Sequence, residues 1–298
     1  MLVSHWISTQ HPWEEVLQRA RHVEASGWDG VWVADHFMPN DAASLDQPMH
    51  ECFSVLAGLA ASVPRVRLGS LVAGNTYRHP AVLAKQAATI DHIAEGRLVL
   101  GLGAGWQEIE HSSYGVEFGS VADRIAWLDE ACQVVRALRD EHRSTFDGDR
   151  YQLADAPLEP KPVGQMPLLI GASGEHKMAK VVARWADEWN VWSTPDTWAP
   201  KRTAFDRALA DEGRDPSTLH RSTQALVLVG PKAKAKAAEL NAVRPCIGGT
   251  PAELVDTIGQ WAEAGLDELI VPDFTLGDLS RTTDTLDQLQ AEVVPTFR

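Results

Sequence analysis

Short runs of β-branched and aromatic residues alternate along the chain with longer stretches in which apolar residues recur three and four positions apart. The short runs predict strands over Leu2–Thr9, Trp28–Asp35, Val66–Ala73, Arg97–Gly103, Pro167–Ala172, Glu188–Ser193, Thr223–Val229 and Asp267–Pro272. The longer stretches predict amphipathic helices. Trp13, Val16, Leu17, Ala20 and Val23 form one stripe, Ile125, Leu128, Cys132, Val135 and Leu138 another, and Leu254, Val255, Ile258, Trp261 and Ala262 a third. Helix starts carry their own chemistry: Thr250-Pro251-Ala252-Glu253 reads as a capping box with proline at the first helical position, and His79-Pro80 looks similar. Eight strand-helix units without a compositional break predict a closed (β/α)₈ TIM barrel occupying residues 1–298 as one α/β domain. Three segments exceed what the barrel needs, namely His36–Met49, Trp106–Ser120 and Arg143–Met166, the last with hairpin chemistry at Asp147-Gly148. The first two directly follow strands, which puts them at the C-terminal mouth, where loops carry function.

Composition narrows the partners. A chain of 298 residues that is 44% hydrophobic can bury a substantial core. The net charge of −14 disfavours a nucleic-acid partner, and no local basic cluster offsets it. No apolar run is long enough for a bilayer, and Met1–Thr9 lacks a basic region followed by a hydrophobic run, so a cytoplasmic protein with no membrane partner is expected. Cys52, Cys132 and Cys246 are widely separated, which suggests buried thiols in a reducing compartment and neither a disulfide framework nor a metal site.

Three segments hold candidate chemistry. Ala34-Asp35-His36 ends the second strand, bringing a carboxylate and an imidazole to the mouth; His36 is either a proton-transfer group or a loop histidine bonded to backbone. Gly101-Leu102-Gly103-Ala104-Gly105-Trp106 ends the fourth strand. Its glycines either admit a flat ligand close to the backbone or allow tight packing at a barrel corner, and Trp106 is a wall for a substrate or a core residue. Gly171-Ala172-Ser173-Gly174 precedes a helical pattern and reads as an anion site or as a plain serine N-cap. Lys177, Lys180 and Arg78 are the expected basic rim. Asp91-His92 reads as an exposed polar pair, and Asp187-Glu188 as the turn into the sixth strand.

In order and spacing, Ala34-Asp35-His36, Gly69-Ser70-Leu71-Val72, Arg78-His79-Pro80, Arg97 through Trp106, Leu169 through Gly174, Ala186 through Asn190, and Gly249-Thr250-Pro251 through Ile270 resemble the bacterial luciferase-like family, especially its branch using the deazaflavin coenzyme F420. The resemblance covers nearly the whole chain. It implies a (β/α)₈ barrel holding a flavin-like ring at its mouth. It also implies a non-prolyl cis peptide at Ser70-Leu71, with Val72 beside it against the ring, cofactor contacts from Asp35, Ala104, Gly105 and Ala172, a phosphate cradle at Ser173 and Gly174, and proton transfer by His36. Related sugar-phosphate dehydrogenases carry a glutamate where this chain has Trp106 and a tryptophan where it has Asn40, so these two residues imply a substrate that is not a sugar phosphate. The expectation is hydride transfer between F420 and a small-molecule substrate. An FMN-dependent monooxygenase of the same fold, and a non-catalytic carrier of flavin or deazaflavin, stand as alternatives. Family members commonly form a homodimer.

Overall fold

The computed structural model describes residues 1–40 and 43–298. In chain order the strands are β1 (Leu2–Trp6), β2 (Gly30–Val33), β3 (Arg67–Ser70), β4 (Ala73–Gly74), β5 (Leu98–Gly103), β6 (Ser144–Asp147), β7 (Gln152–Ala156), β8 (Leu168–Gly171), β9 (Glu188–Trp192), β10 (His220–Gln224), β11 (Leu226–Val229), β12 (Cys246–Gly249) and β13 (Glu268–Pro272). The helices are α1 (Trp13–Ala25), α2 (Cys52–Ala60), α3 (Pro80–Ile93), α4 (Glu108–Tyr114), α5 (Val121–Asp140), α6 (Lys177–Trp185), α7 (Pro195–Asp211), α8 (Ala233–Leu240), α9 (Pro251–Glu263) and α10 (Leu279–Glu292). Parallel pairing runs β3-β2-β1-β13-β10-β9-β8-β5, and a further β3–β5 pairing closes the ring. The fold is a TIM barrel.

Helix signals in the sequence act as expected. Thr250 and Glu253 exchange capping hydrogen bonds at the start of α9, and Leu254, Ile258 and Trp261 turn inward. His79 caps α3 ahead of Pro80. The third insertion forms the β6-β7 antiparallel hairpin.

Period-two alternation decides what fills the barrel. Trp6, Trp32, Leu71, Val99, Leu169 and Ile270 form an inner cluster, while neighbours such as Val31 and Val33 join the larger core under the helices. Toward the strands' N-terminal ends the inward residues are charged. Arg67 Nη1 lies 2.9 Å from Glu268 and Nη2 lies 2.5 Å from Glu188. His220 Nε2 is 3.3 Å from Glu268, and Trp32 Nε1 donates to it at 3.0 Å. Burial would raise the Glu268 pKa, but Arg67, His220 and the Ser4 hydroxyl bring it down to about 2. Glu188 moves the other way, raised by burial against the pull of Arg67. Among the described residues, Glu188, His220 and Glu268 are one group close enough to share a cation. Arg67, bound to both carboxylates, already supplies that charge.

Four expectations need correction. The strand predicted at Val66–Ala73 is interrupted at Leu71-Val72 between β3 and β4. The one predicted at Thr223–Val229 is two: β10 starts earlier and joins the ring between β9 and β13, while β11 leaves it to pair with β12, a strand the periodicity missed. Asp91 is not exposed; its buried carboxylate accepts from the backbone of Leu98 at 3.3 Å and Gly164 at 2.9 Å. Glu188 belongs to the charged layer inside the barrel.

Candidate active site

A cavity of about 1110 Å³ opens at the C-terminal mouth. Asp35, His36, Asn40, Leu71, Val72, Ala104, Gly105, Trp106, Ala172, Ser173 and Gly174 all line it. Residues 41 and 42 of the first insertion lie outside the described residues. Ser70 sits below the cavity wall, its hydroxyl donating to Gly101 O at 2.9 Å and accepting from Gly101 N at 3.0 Å.

The non-prolyl cis peptide joins Leu71 to Val72, one bond later than the resemblance implies. Glycines make room for this bulge. A Cβ on Gly101 would stand 2.0 Å from Ser70 O, one on Gly103 2.7 Å from Val72 Cγ2, and one on Gly171 2.9 Å from the same methyl. Gly101 and Gly103 therefore serve tight packing at a barrel corner, and what reaches the cavity is the half-buried Val72 that they allow to protrude. Gly105 differs, with φ +80 where side chains are disfavoured.

Asp35 is fully engaged within the protein. Arg78 Nη1 and Nη2 reach its two oxygens at 2.6 and 3.1 Å, and Gly74 N donates at 3.2 Å. Arg78 also binds Glu51 at 2.5 Å. Burial raises the Asp35 pKa, with the Arg78 fork working against it. The ion pairs fix the end of β2 to the β4-α3 loop and thereby orient the next residue, His36.

The sequence reading missed the group behind His36. Glu110, buried on α4, lies 3.0 Å from His36 Nδ1 and also accepts from the Tyr77 hydroxyl, from Phe37 N and, at 3.3 Å, from Met38 N. Burial would raise its pKa, but the bonds from His36, Tyr77 and Phe37 hold it below the ordinary glutamate value. The Tyr77 phenol is driven far upward by burial and by this carboxylate, so it stays protonated and donates. An ionised Glu110 selects the tautomer with its proton on Nδ1, which leaves Nε2 of the cavity-lining His36 to give or take a proton. Trp106 stands edge-on to His36 with ring centroids 5.5 Å apart. The indole at position 106 does not leave the site without a carboxylate, because Glu110 provides one from one turn further along.

At the opposite side of the cavity, the helix expected to start at Ser173 begins only at Lys177, and its N-cap is His176 without a side-chain bond. Ser173 and Gly174 are thus exposed loop residues and not helix caps. Lys201 Nζ sits 3.4 Å from Ser173 O. The basic rim also differs from expectation. Arg78 is consumed by Asp35 and Glu51, and Lys177 and Lys180 stay outside the cavity lining, where Arg124 and Arg244 are the cations.

Comparison with known proteins agrees with this architecture. The sequence model of luciferase-like monooxygenases matches residues 2–294. The chain belongs to the luciferase-like monooxygenase family. Among curated relatives, the F420-dependent glucose-6-phosphate dehydrogenase of Kineococcus radiotolerans is 36% identical over 52% of this chain and 45% of its own length. The F420-dependent hydroxymycolic acid dehydrogenase of Mycobacterium tuberculosis is 29% identical over 76% of this chain and 62% of its own. The pyrimidine monooxygenase RutA of Methylorubrum populi is 35% identical over 56% of this chain and 46% of its own. The chain thus spans about half the length of the first and third of these relatives. Among solved structures, an F420-dependent secondary alcohol dehydrogenase in complex with an F420-acetone adduct superposes over 100% of this chain and 99% of its own, with a TM-score of 0.86 at 21% identity. At that identity the superposition speaks for the fold.

Proposed function

We propose that this protein is an F420-dependent oxidoreductase exchanging hydride with a small organic substrate other than a sugar phosphate. The observation that carries the reading is the pairing of His36 with the buried Glu110 at the wall of a cavity of about 1110 Å³, larger than the roughly 300–1,000 Å³ typical of a single small ligand.

The residues fit a deazaflavin. Val72 protrudes as an apolar ridge for one face of a planar ring, Leu71, Ala104 and Gly105 flank it, and Ala172, Ser173 and Gly174 offer backbone groups to a phosphate. Bound F420 supplies hydride exchange at its C5 carbon. The chain's own work is to hold the ring on the Val72 ridge, to line the cavity mouth with the Trp106 indole, and to move the accompanying proton at His36 Nε2 while Glu110 holds Nδ1. Asn40 and Trp106 at the rim favour a substrate less polar than a sugar phosphate. Two relatives named above use F420, which supports the cofactor choice; the RutA likeness supports FMN as the rival. A homodimer in the cytoplasm belongs to the same proposal.

The test is turnover with reduced F420 against a panel of ketones and activated alkenes, and with oxidised F420 against alcohols. Turnover of at least one compound is expected, with His36→Ala lowering it by about 10²- to 10⁴-fold while F420 binding persists. Oxygen consumption with reduced FMN in place of F420 turnover would overturn the proposal.

A further inference from the structure

The two arginines of the cavity are used differently. Arg124 donates to Gly105 O at 3.1 Å and Gly119 O at 2.8 Å and packs over Phe118. Arg244, half-buried before β12, has a guanidinium without a hydrogen bond or ion pair among the described residues. Burial lowers its pKa. Two aromatic rings accompany it: its guanidinium carbon lies 5.0 Å from the Trp192 ring centroid and 5.7 Å from that of Phe274. Trp6 lies against both rings, 5.8 and 5.1 Å away.

A second polar group nearby also lacks a partner. Gln224 pairs in register with Trp192, is 5% exposed and lines the same cavity, yet its Oε1 bonds to nothing among the described residues. Rotated about its last bond, this carboxamide offers a ligand either an acceptor or a donor. Asp273, which also lines the cavity, is tied to His11 at 3.0 Å and Ser8 N at 3.1 Å and lies 3.7 Å from Arg19, partners that offset its charge. A partly desolvated cation is costly in isolation and an incoming anion satisfies it, while the Nε2 end of the Gln224 carboxamide is the donor that an anion can use. The planar guanidinium matches a carboxylate through two parallel bonds.

We propose that Arg244 and Gln224 form the subsite for the carboxylate of a small organic substrate whose apolar body lies along Trp6, Trp192 and Phe274. The inference rests on the cavity being the substrate site of the oxidoreductase reading, and it names the substrate class as aryl or alkyl carboxylates.

Cinnamate, methyl cinnamate, octanoate and phenyl phosphate are titrated into the wild-type protein, with and without F420, following tryptophan fluorescence. A carboxylate is expected to bind about 10- to 100-fold more tightly than the ester. Arg244→Met abolishes that preference and Arg244→Lys keeps part of it, while F420 affinity is unchanged in both. Equal binding of acid and ester, no carboxylate binding, tighter binding of phenyl phosphate, or loss of F420 affinity in Arg244→Met would each overturn the assignment. If F420 fails to bind while the carboxylate preference appears and depends on Arg244, the subsite stands and the deazaflavin reading falls.

Discussion

Replacing Arg67 by methionine removes the guanidinium that pairs with both Glu188 and Glu268 and leaves the two carboxylates facing each other. The structure fixes the scale of the effect: the bonds are 2.5 and 2.9 Å, and both carboxylates are at least 95% buried. Breaking a buried ion pair from one side costs about 3–5 kcal/mol, because the surviving charge keeps its desolvation penalty. Against a total stability of about 5–15 kcal/mol, that is a large fraction. Urea unfolding at pH 7.5, read by tryptophan fluorescence, measures the difference. The penalty is expected to shrink as pH falls toward 5. Glu188, whose pKa burial already raises, takes a proton and removes one of the two opposed charges. F420 affinity of the folded variant is expected to stay unchanged, since the layer lies at the far end of the barrel from the mouth. A loss below about 1 kcal/mol, or a penalty that grows on acidification, would refute the view that Arg67 neutralises this layer.

Three further outcomes follow from the site and the core. Glu110→Gln removes the charged acceptor for His36 Nδ1, so ¹⁵N shifts of the His36 ring are expected to lose their single Nδ1–H tautomer, and turnover is expected to fall about 10- to 100-fold with an altered pH profile; an unchanged ring spectrum would remove Glu110 from its positioning role. Gly101→Ala places a methyl 2.0 Å from Ser70 O, so a loss of about 1–3 kcal/mol in thermal or urea unfolding is expected, together with weaker cofactor binding as the Val72 ridge shifts. Because folding lowers the Glu268 pKa from 4.5 to about 2, its contribution is present above pH 4.5 and is lost as pH falls through 2; Glu268→Gln is expected to flatten the acid limb of a stability-pH curve.

Much of the barrel was legible because its signal is local. The short β-rich runs located seven of the eight ring strands within a few residues, the exception being Thr223–Val229, which falls mostly on β11 outside the ring, and caps such as Thr250-Glu253 need only neighbouring residues to act. The charged layer was legible in principle: Arg67, Glu188, His220 and Glu268 each share the inward parity of their strands, but without strand register nothing says that they meet. Glu110 left no such trace. It sits in a long segment without periodicity and meets His36 across 74 positions of chain; an acidic cluster in a segment directly after a strand was the available hint. The helix start after β8 was expected too early because a serine followed by helical spacing resembles a cap, whereas the chain takes three more residues after Ser173 before α6 begins. Arg244 escaped notice because β12 is short and glycine-rich, so the loop delivering it to the mouth had no recognised strand behind it.

The central claim is that the mouth of this barrel is built for a deazaflavin ring seated on Val72. Equilibrium titration of the wild-type protein with F420 and with FMN, each followed by quenching of ring fluorescence, tests it most directly. Saturable F420 binding is expected, at least about tenfold tighter than FMN binding. Tight FMN binding with no F420 binding would contradict it.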